Sequence, residues 1–398
     1  MARISVAAGL LLTATWSAAA AQVAKPATAV VGATGRFSPV TPVRILDTRS
    51  GLGAPKGQPE PFEPLAVTVR GANGVPADAT AVLVNLTLTD GEPSTSVYVY
   101  GCDDIGDAGG AILDPTSATA NLVATGISDD GAICFETFDS THVVADLAGW
   151  YGPTGTSGFN SLTPTRLVDT RLGQGAPKAP VATGAVLTVK VAGQAGVPPD
   201  ATAAALNVTA TQTQASGYVT AFPCDKPRPT ASNLNFDKGD TVPNLVVVPL
   251  AADGTICLFS YAASDLIVDA SGWFGATGKS FTPIGATDAD DTLLFSNSEG
   301  EVPLAANQTV AIKVRGVAQV PATAPALAVS IAASGPQAGY ITVYPCDQPR
   351  PTASNLNYAG FDAKVATAMV PIAADGTVCL YTYAPIFVWV GALGFYTA

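Results

Sequence analysis

Short segments of alternating apolar and polar residues fill most of this chain, and no long stretch has the period of an amphipathic helix. The segment 185–193 (AVLTVKVAG) shows the alternation, which places every second side chain on one face of a β-strand. Glycine, proline and aspartate separate such segments, and Asp-Gly pairs at 130–131, 253–254 and 375–376 are hairpin signals. The pattern therefore predicts an all-β protein whose successive strands pair antiparallel.

The chain repeats one unit three times. The segment 217–258 (GYVTAFPCDKPRPTASNLNF…) recurs with few changes at 339–380, and a diverged copy occupies 97–135. Each repeat spans roughly 115 to 120 residues with about seven or eight strand segments, which is typical of a β-sandwich. We predict three tandem antiparallel β-sandwich modules, Ig-like or jelly-roll-like, with a β-trefoil or small barrel as the alternative. Their predicted bounds are 37–152, 159–275 and 281–398 (the divergent third repeat), separated by short Gly/Ser/Thr linkers.

The six cysteines follow the same repeat. Within the repeats, Cys102 and Cys134 are separated by 32 residues, and the pairs Cys224 with Cys257 and Cys346 with Cys379 by 33 residues each. The repeat symmetry selects one disulfide per repeat from the fifteen pairings that six cysteines allow. A structural zinc site is the competing interpretation, but the sequence has no C-x-x-C motif and a single histidine.

The first residues have the pattern of an exported protein. Residues 1–21 combine an arginine, a short apolar run and small residues, which is typical of a secretory signal peptide, and 22–36 has the composition of a flexible lead. Its apolar run is too short to span a membrane. With 31 acidic against 19 basic residues, the net charge of −12 disfavours nucleic acid as a partner. The sequence therefore predicts a secreted or cell-surface protein.

Several sequence blocks are shared with a known kind of module. The blocks TPTRLVDTR (163–171), PRPTASNLNF (227–236) and DASGWF (269–274) resemble a repeat module of exported actinobacterial proteins, a poorly characterised family. The resemblance covers nearly all of the chain after the signal peptide. It implies an extracellular or cell-surface setting, and it brings no established ligand and no catalytic residues.

Two charged motifs are present together in repeats 1 and 2 and absent together from repeat 3. An Arg-x-x-Asp-Thr-Arg motif opens each of the first two repeats and an Asp-x-x-Gly-Trp motif closes it. In repeat 3, Gly285 aligns with the arginine and Gly391 with the aspartate. Because a partly buried charge without its partner is costly, we predict that the two motifs form structural ion pairs. The alternative is a clamp for a ligand carboxylate or sulfate. The residues concerned are Arg44, Asp47, Arg49 and Asp146 in repeat 1, with Arg166, Asp169, Arg171 and Asp269 in repeat 2.

The predicted ligand surface is the loop that repeats 2 and 3 share, residues 227–235 and 349–357. Two prolines flank an arginine in it, so the turn is expected to be exposed, and asparagines follow one short step later. Aromatic residues alternate on the preceding strand, either to fill a core or to stack on sugar rings. The predicted ligand-binding residues are Arg228, Asn233 and Asn235 in repeat 2, with Arg350, Asn355 and Asn357 in repeat 3.

No cofactor is predicted. Two aspartate clusters, at 103–107 and 288–291, are interpreted as solvated loops, with calcium binding as the alternative. The single histidine, His142, lies outside any nucleophile motif, so no catalytic residue is predicted. The sequence thus predicts a non-catalytic exported protein that binds envelope or extracellular polysaccharide, with repetition supplying avidity. The alternative is a structural or adhesive surface protein with protein partners.

Overall fold

The computed structural model describes residues 30–92, 95–104, 110–112, 118–285, 289–297 and 302–398. The predicted signal peptide lies outside the described residues. Repeat 1 contains β2 (Arg36–Asp47), β3 (Leu65–Thr68), β4 (Ala81–Thr89), β5 (Ser96–Gly101), β6 (Gly110–Ile112), β7 (Thr119–Gly126), β8 (Ala132–Thr137) and β9 (His142–Gly152), preceded by β1 (Val30–Val31). Repeat 2 contains β10 (Gly158–Asp169), β11 (Ala185–Lys190), β12 (Ala203–Thr211), β13 (Gly217–Pro223), β14 (Leu234–Phe236), β15 (Val242–Pro249), β16 (Thr255–Ser260) and β17 (Asp265–Gly275). Repeat 3 contains β18 (Ser280–Gly285), a 3₁₀ helix (Ala289–Thr292), β19 (Leu293–Ser296), β20 (Thr309–Lys313), β21 (Ala326–Ser334), β22 (Gly339–Pro345), β23 (Leu356–Tyr358), β24 (Lys364–Pro371), β25 (Thr377–Thr382) and β26 (Phe387–Thr397).

Each repeat folds into two antiparallel sheets. In repeat 2 the strand orders are β10-β17-β12-β15, which we call the inner sheet, and β11-β16-β13-β14, the outer sheet. Repeat 1 has the same two orders, β2-β9-β4-β7 and β3-β8-β5-β6. In repeat 3 the outer sheet is β20-β25-β22-β23, and β1 and β19 extend the inner sheet β18-β26-β21-β24 to six strands. The prediction of an all-β, antiparallel protein is confirmed.

The six sheets are arranged as a six-bladed β-propeller, so the prediction of three tandem β-sandwich modules is wrong. The predicted hairpins are wrong as well. The Asp-Gly turns do form, with a left-handed φ at Gly131, Gly254 and Gly376, but each leads from an inner sheet to an outer one. A turn motif fixes a local change of direction, and it does not fix which strand becomes the hydrogen-bonded neighbour.

A core shared by all three repeats explains why they are not independent modules. One face of each inner sheet packs on the outer sheet of its own repeat, and the opposite face joins the shared core. Six aromatic rings form a closed cycle at its centre, with ring centroids 4.3–5.2 Å apart. In cyclic order they are Phe37, Tyr151, Phe281, Tyr396, Phe159 and Phe274.

The backbone closes the same ring. Phe37 exchanges two backbone hydrogen bonds with Ser157, and Phe159 exchanges two with Lys279. Phe281 makes the same exchange with Gly35. The linkers are thus paired into the assembly, and so is residue 35 of the predicted flexible lead. Because repeat 3 pairs with the segment that precedes repeat 1, the ring closes between these two repeats.

The disulfides pair as predicted. Cys102 is bonded to Cys134, Cys224 to Cys257, and Cys346 to Cys379. In each repeat the second cysteine lies on the outer sheet and the first follows the adjacent strand, so the bond anchors the start of the loop that comes next.

Candidate binding surfaces

Backbone pairing places the two charged motifs opposite each other. In repeat 2 Arg166 pairs with Asp269 in the strand register. The Arg166 guanidinium donates from Nε and Nη2 to the two Asp269 oxygens at 2.8 and 3.2 Å, and from Nη1 to Asp169 Oδ2 at 3.1 Å. Arg171 donates to both Asp169 oxygens at 2.9 and 2.6 Å. Asp269 is only 2% exposed, so this is an ion-pair network at the edge of the core.

Repeat 1 has the same geometry. Arg44 donates to both Asp146 oxygens at 3.0 and 3.1 Å and to Asp47 Oδ2 at 3.1 Å, while Arg49 holds Asp47. The hydrogen bonds from Arg49 lower the pKa of Asp47 to about 2. Burial raises the pKa of Asp146, and the Arg44 guanidinium opposes this effect.

The ion-pair network also holds the neighbouring repeat. Arg166 Nη2 reaches the carbonyl of Thr352 at 3.4 Å, and Asn207 Nδ2 donates to the carbonyl of Ser354 at 2.8 Å. We call Arg166, Asn207 and Asp269 the socket of repeat 2. It receives the Pro-Arg-Pro-Thr-Ala-Ser loop of repeat 3.

The socket of repeat 1 is Arg44, Asn85 and Asp146, and it receives the corresponding loop of repeat 2. Arg44 reaches the carbonyl of Thr230 at 3.4 Å, and Asn85 donates to that of Ser232 at 2.6 Å. The guanidinium donors are therefore committed to acceptors of this chain, and we do not include the sockets in a ligand surface.

The third repeat replaces the socket with apolar packing. Leu293 on β19 pairs opposite Gly391, so Leu293 and not Gly285 occupies the arginine position, and Ser330 replaces the asparagine. A Cβ atom on Gly391 would come within 2.1 Å of the Trp389 ring, which covers this glycine. The alignment with Gly285 was wrong because β18 and β19 are separated by extra residues. Repeat 1 in turn lacks the Pro-Arg-Pro sequence, and repeat 3 lacks the socket.

The predicted ligand loop folds back over its own outer sheet. In repeat 2, Thr220 Oγ1 donates to the carbonyl of Ala231 at 2.7 Å, and Asn233 Oδ1 accepts from Ala221 N at 2.7 Å. In repeat 3, Asn355 Oδ1 accepts from Val343 N at 2.9 Å. Asn233 and Asn355 are both buried. They shape the loop from beneath, where no ligand reaches them.

The arginine of the loop lies on an aromatic surface. In repeat 2 the Arg228 guanidinium lies 3.7 Å from the centroid of the Phe259 ring, and Tyr218 stacks on Tyr261 with a centroid distance of 4.9 Å and an angle of 19°. Phe259 and Tyr218 are 6.0 Å apart, so the groups form one row. Tyr261 is 53% exposed. We call this row aromatic face 2.

Repeat 3 repeats the row, and we call it aromatic face 3. Arg350 lies 3.6 Å above the Tyr381 ring, and Tyr340 stacks on Tyr383 at 5.1 Å and 14°. Tyr383 is 51% exposed. The alternating aromatic residues of this strand therefore fall into two groups: Tyr344 and its counterpart Phe222 are buried beside the disulfides, whereas the stacked tyrosines reach solvent.

Repeat 1 has a different surface at this position. Glu136 occupies the place of Phe259 in the strand register and accepts a 2.6 Å hydrogen bond from Tyr100. Phe138 contacts Tyr98 and Phe62 edge to face. The stacked tyrosine pair with an adjacent arginine is therefore specific to repeats 2 and 3.

Asn235 and Asn357 converge on a cavity of about 340 Å³ between the repeats. Residues of repeat 1, such as Thr119 and Ala120, complete its wall. The sequence did not indicate that these two asparagines share one site, because they are more than a hundred residues apart.

The aspartate clusters are only partly described. Asp103 Oδ2 accepts a hydrogen bond from Asp129 N at 2.9 Å, and burial raises the pKa of Asp104 to about 6. Asp107 and Asp288 lie outside the described residues, as does the side chain of Asp290. Within the described ranges, no group of three or more histidine, cysteine or acidic residues is placed to hold a metal ion.

His142 contacts a threonine hydroxyl, and the equivalent threonine of repeat 2 contacts an aspartate instead. His142 Nδ1 lies 2.8 Å from the Thr48 hydroxyl, and at the same position Thr170 donates to Asp265 Oδ1 at 2.6 Å. Both contacts join the end of the opening strand to the start of the closing strand. His142 thus makes the same strand-to-strand contact that Asp265 makes in repeat 2.

Comparisons with known proteins include a distant structural likeness. No family model matches the chain, and no curated protein matches it. Among solved structures, the N-terminal tandem of two CBM22 domains from Xyn10C of Paenibacillus barcinonensis is 11% identical, with a TM-score of 0.17. That likeness covers 58% of this chain and 100% of the other. At this TM-score we draw no argument from it.

None of the helices among the described residues is long and apolar enough to cross a membrane. The three disulfides are compatible with an extracellular protein.

Proposed function

We propose that this protein is a secreted or cell-surface, non-catalytic glycan-binding protein. Its contact surfaces are aromatic faces 2 and 3. The observation that carries the proposal is the exposed tyrosine of each face, Tyr261 or Tyr383, stacked flat on a second tyrosine beside a loop arginine. A rigid aromatic platform suits the apolar face of a sugar ring, and a guanidinium suits its hydroxyl groups.

The packing below the faces supports this proposal. Phe259 and Tyr381 hold the guanidinium groups of Arg228 and Arg350 by cation–π contacts, so less side-chain entropy is lost when a ligand binds. The disulfide and the buried Asn233 or Asn355 fix the loop on the sheet. Because the ring assembly fixes the two faces relative to each other, one long polymer that reaches both would bind with avidity.

The expected contribution of one tyrosine follows from its exposure. An aromatic side chain buries roughly 150–250 Å² at most, and about half of Tyr261 is exposed, which leaves roughly 100 Å² for a ligand. At about 25 cal/mol per Å², covering half to all of this area contributes about 1.2 to 2.5 kcal/mol. Removing one ring should therefore weaken binding by a factor of about 8 to 70.

Co-sedimentation of the mature protein with purified envelope polysaccharide and other insoluble glycans tests the proposal. We expect saturable binding that Tyr261→Ala weakens, that Tyr383→Ala weakens equally, and that the double variant abolishes. Phe361→Ala is the matched control, since Phe361 is 71% exposed and belongs to neither face. Arg228→Ala and Arg350→Ala test the guanidinium contribution separately.

Binding that survives the double tyrosine change would refute these faces as the contact surface. Absence of binding to every glycan would favour the alternative function, a structural or adhesive protein with protein partners. A pull-down of secreted proteins on the immobilised mature chain would then be the next experiment.

A further inference from the structure

Repeat 1 presents an exposed aromatic ring at a position where repeats 2 and 3 have none. Phe62 is 62% exposed, and its ring contacts Phe138 edge to face with a centroid distance of 5.3 Å. Phe138 in turn contacts Tyr98 edge to face at 5.1 Å. Glu136 pairs with Tyr98 across the outer sheet, so the two side chains lie on the same side of that sheet. We call Phe62, Phe138, Tyr98 and Glu136 aromatic face 1.

The backbone at Phe62 has a conformation that disfavours phenylalanine. Its φ of 64° is left-handed, and the same position is left-handed in the other repeats, with Gly184 at 71° and Asn307 at 60°. Phe62 and Gly184 donate their backbone N–H groups to equivalent carbonyls, those of Thr137 and Ser260. Glycine has no Cβ atom to clash, and asparagine tolerates this region better than most residues, whereas a bulky phenylalanine is strained. Repeat 1 therefore places a strained residue where the fold favours glycine or asparagine.

The packing of the Phe62 ring does not account for this strain. Most of the side chain is exposed, and its ring contact with Phe138 is a single edge-to-face pair. Strained residues cluster at sites that contact ligands, and exposed apolar surface is a further mark of such sites. In repeat 3 the same position already belongs to an aromatic face, because the Tyr381 hydroxyl donates to Asn307 Oδ1 at 2.6 Å. Phe62 is therefore placed to contact a ligand.

The charge on aromatic face 1 is opposite to that on faces 2 and 3. Glu136 stands where Phe259 and Tyr381 hold arginine side chains. The segment between the two cysteines of repeat 1 contains six aspartates and neither lysine nor arginine, so it supplies no counterpart of Arg228. Tyr100 donates one hydrogen bond to Glu136, which leaves the ionised carboxylate further acceptor sites, and the ion pairs of the described residues do not include Glu136. These groups suit a ligand with both an apolar ring face and a positive charge.

We propose that aromatic face 1 binds an amino sugar residue that has a free, protonated amino group. The apolar face of the sugar ring stacks on Phe62, and the ammonium group pairs with the carboxylate of Glu136. This site rests on the proposed glycan-binding function, and it adds a cationic class of sugar and a third contact surface. Because Phe62 and Glu136 belong to neither aromatic face 2 nor aromatic face 3, the surfaces can be tested separately.

Isothermal titration calorimetry on the mature protein at about pH 6, where carboxylates are ionised and amines are protonated, tests this site. The probes are the linear tetramer of glucosamine and the same tetramer fully N-acetylated, which share their ring faces and differ in charge. We expect saturable binding of the glucosamine tetramer, about tenfold or more tighter than that of the N-acetylated tetramer. Phe62→Asn should weaken this binding about tenfold, and Glu136→Gln should remove most of the preference for the free amine.

The choice of variants keeps loss of binding distinct from loss of folding. Phe62→Asn gives repeat 1 the residue of repeat 3, so the melting temperature should stay the same or rise while binding weakens. Phe62→Tyr keeps the ring and should retain binding. Phe361→Asn is the matched control, since Phe361 is 71% exposed and lies outside all three faces, and it should leave binding unchanged.

The remaining outcomes separate this site from aromatic faces 2 and 3. The Tyr261→Ala, Tyr383→Ala double variant should still bind the glucosamine tetramer. Polymer binding through faces 2 and 3 without any tetramer binding would overturn the amino-sugar site alone, whereas binding of neither ligand would overturn the proposed function as well. Tetramer binding that Phe62→Asn leaves unchanged would also overturn the site. A lysine pentapeptide that binds as tightly, with the same dependence on Phe62, would replace the amino sugar with a basic peptide as the ligand.

Discussion

The ion pair between Arg166 and Asp269 gives the sharpest test of how the repeats are held together. Changing Asp269 to Asn removes the negative charge that both Nε and Nη2 of Arg166 contact, while the side chain keeps its shape. Removing one partner of a buried pair typically costs 3–5 kcal/mol. Arg166 retains Asp169 and is 17% exposed, so we expect the low end, about 3 kcal/mol.

The reverse change should cost a similar amount. Arg166→Leu leaves the carboxylate of Asp269, which is 2% exposed, without its guanidinium. The double variant removes both charges and reproduces the arginine-to-leucine exchange that repeat 3 already has at Leu293. It should therefore lose much less than the two single variants together, with a coupling free energy of about 2 to 3 kcal/mol.

Equilibrium urea unfolding of the mature chain measures these free energies, followed by tryptophan fluorescence and by circular dichroism. Coincident curves from the two signals are needed before free energies are compared. The same cycle at Arg44 and Asp146 serves as an internal replicate, since its distances are nearly identical. If the losses of the single variants simply add in the double variant, the two residues do not stabilise the fold as a pair.

Three other predictions concern stability. Arg49 lowers the pKa of Asp47 to about 2, below its value in the unfolded chain, so Asp47 stabilises the fold above about pH 4 and this stabilisation is lost as pH falls through about 2. The free energy of unfolding should therefore fall between about pH 4 and about pH 2 by about 2 kcal/mol more in the native chain than in the Asp47→Asn variant. Replacing Cys224 and Cys257 with Ala should cost about 4 kcal/mol, and an unchanged urea midpoint would contradict the chain-entropy account. Tyr151→Phe should cost about 1 kcal/mol, because it removes the 3.2 Å hydroxyl contact with Tyr396. The double variant Tyr151→Phe, Tyr396→Phe should cost less than the sum of the two single variants. Additive losses would show that the contact contributes nothing to stability.

The sequence predicts much of the candidate surface, but it does not show which residues are exposed to a ligand and which are buried and hold the loop. Arg228 and Arg350 were expected to be exposed because prolines flank them, and both are. Proximity in sequence groups Asn233 with them, yet Asn233 is buried and holds the loop. Adjacent side chains on an extended segment point to opposite sides, and only the packed loop shows which side is solvent.

The shared core had a signal in the sequence that alternation alone did not make clear. Strand β12 is buried on both faces: Ala204 and Leu206 pack within repeat 2, while Ala203 and Ala205 pack in the shared core. An apolar run with little alternation is typical of a strand covered on both sides. The pattern indicates that other elements pack on both faces of this strand. It does not identify the second element, because many surfaces are apolar enough to pack there.

The sequence by itself determined the strands, the glycine turns and the disulfide partners, because these depend on local periodicity and on spacing within a repeat. The joint absence of two charged motifs from repeat 3 likewise indicated that an arginine and an aspartate belong together. Only the tertiary structure decided that three repeats close into one propeller and that Leu293 replaces the arginine. It alone brought Asn235 and Asn357 to one cavity. The physical reason is that hydrophobic burial is not directional: a pattern specifies which face leaves water, and the packing of distant segments selects its partner.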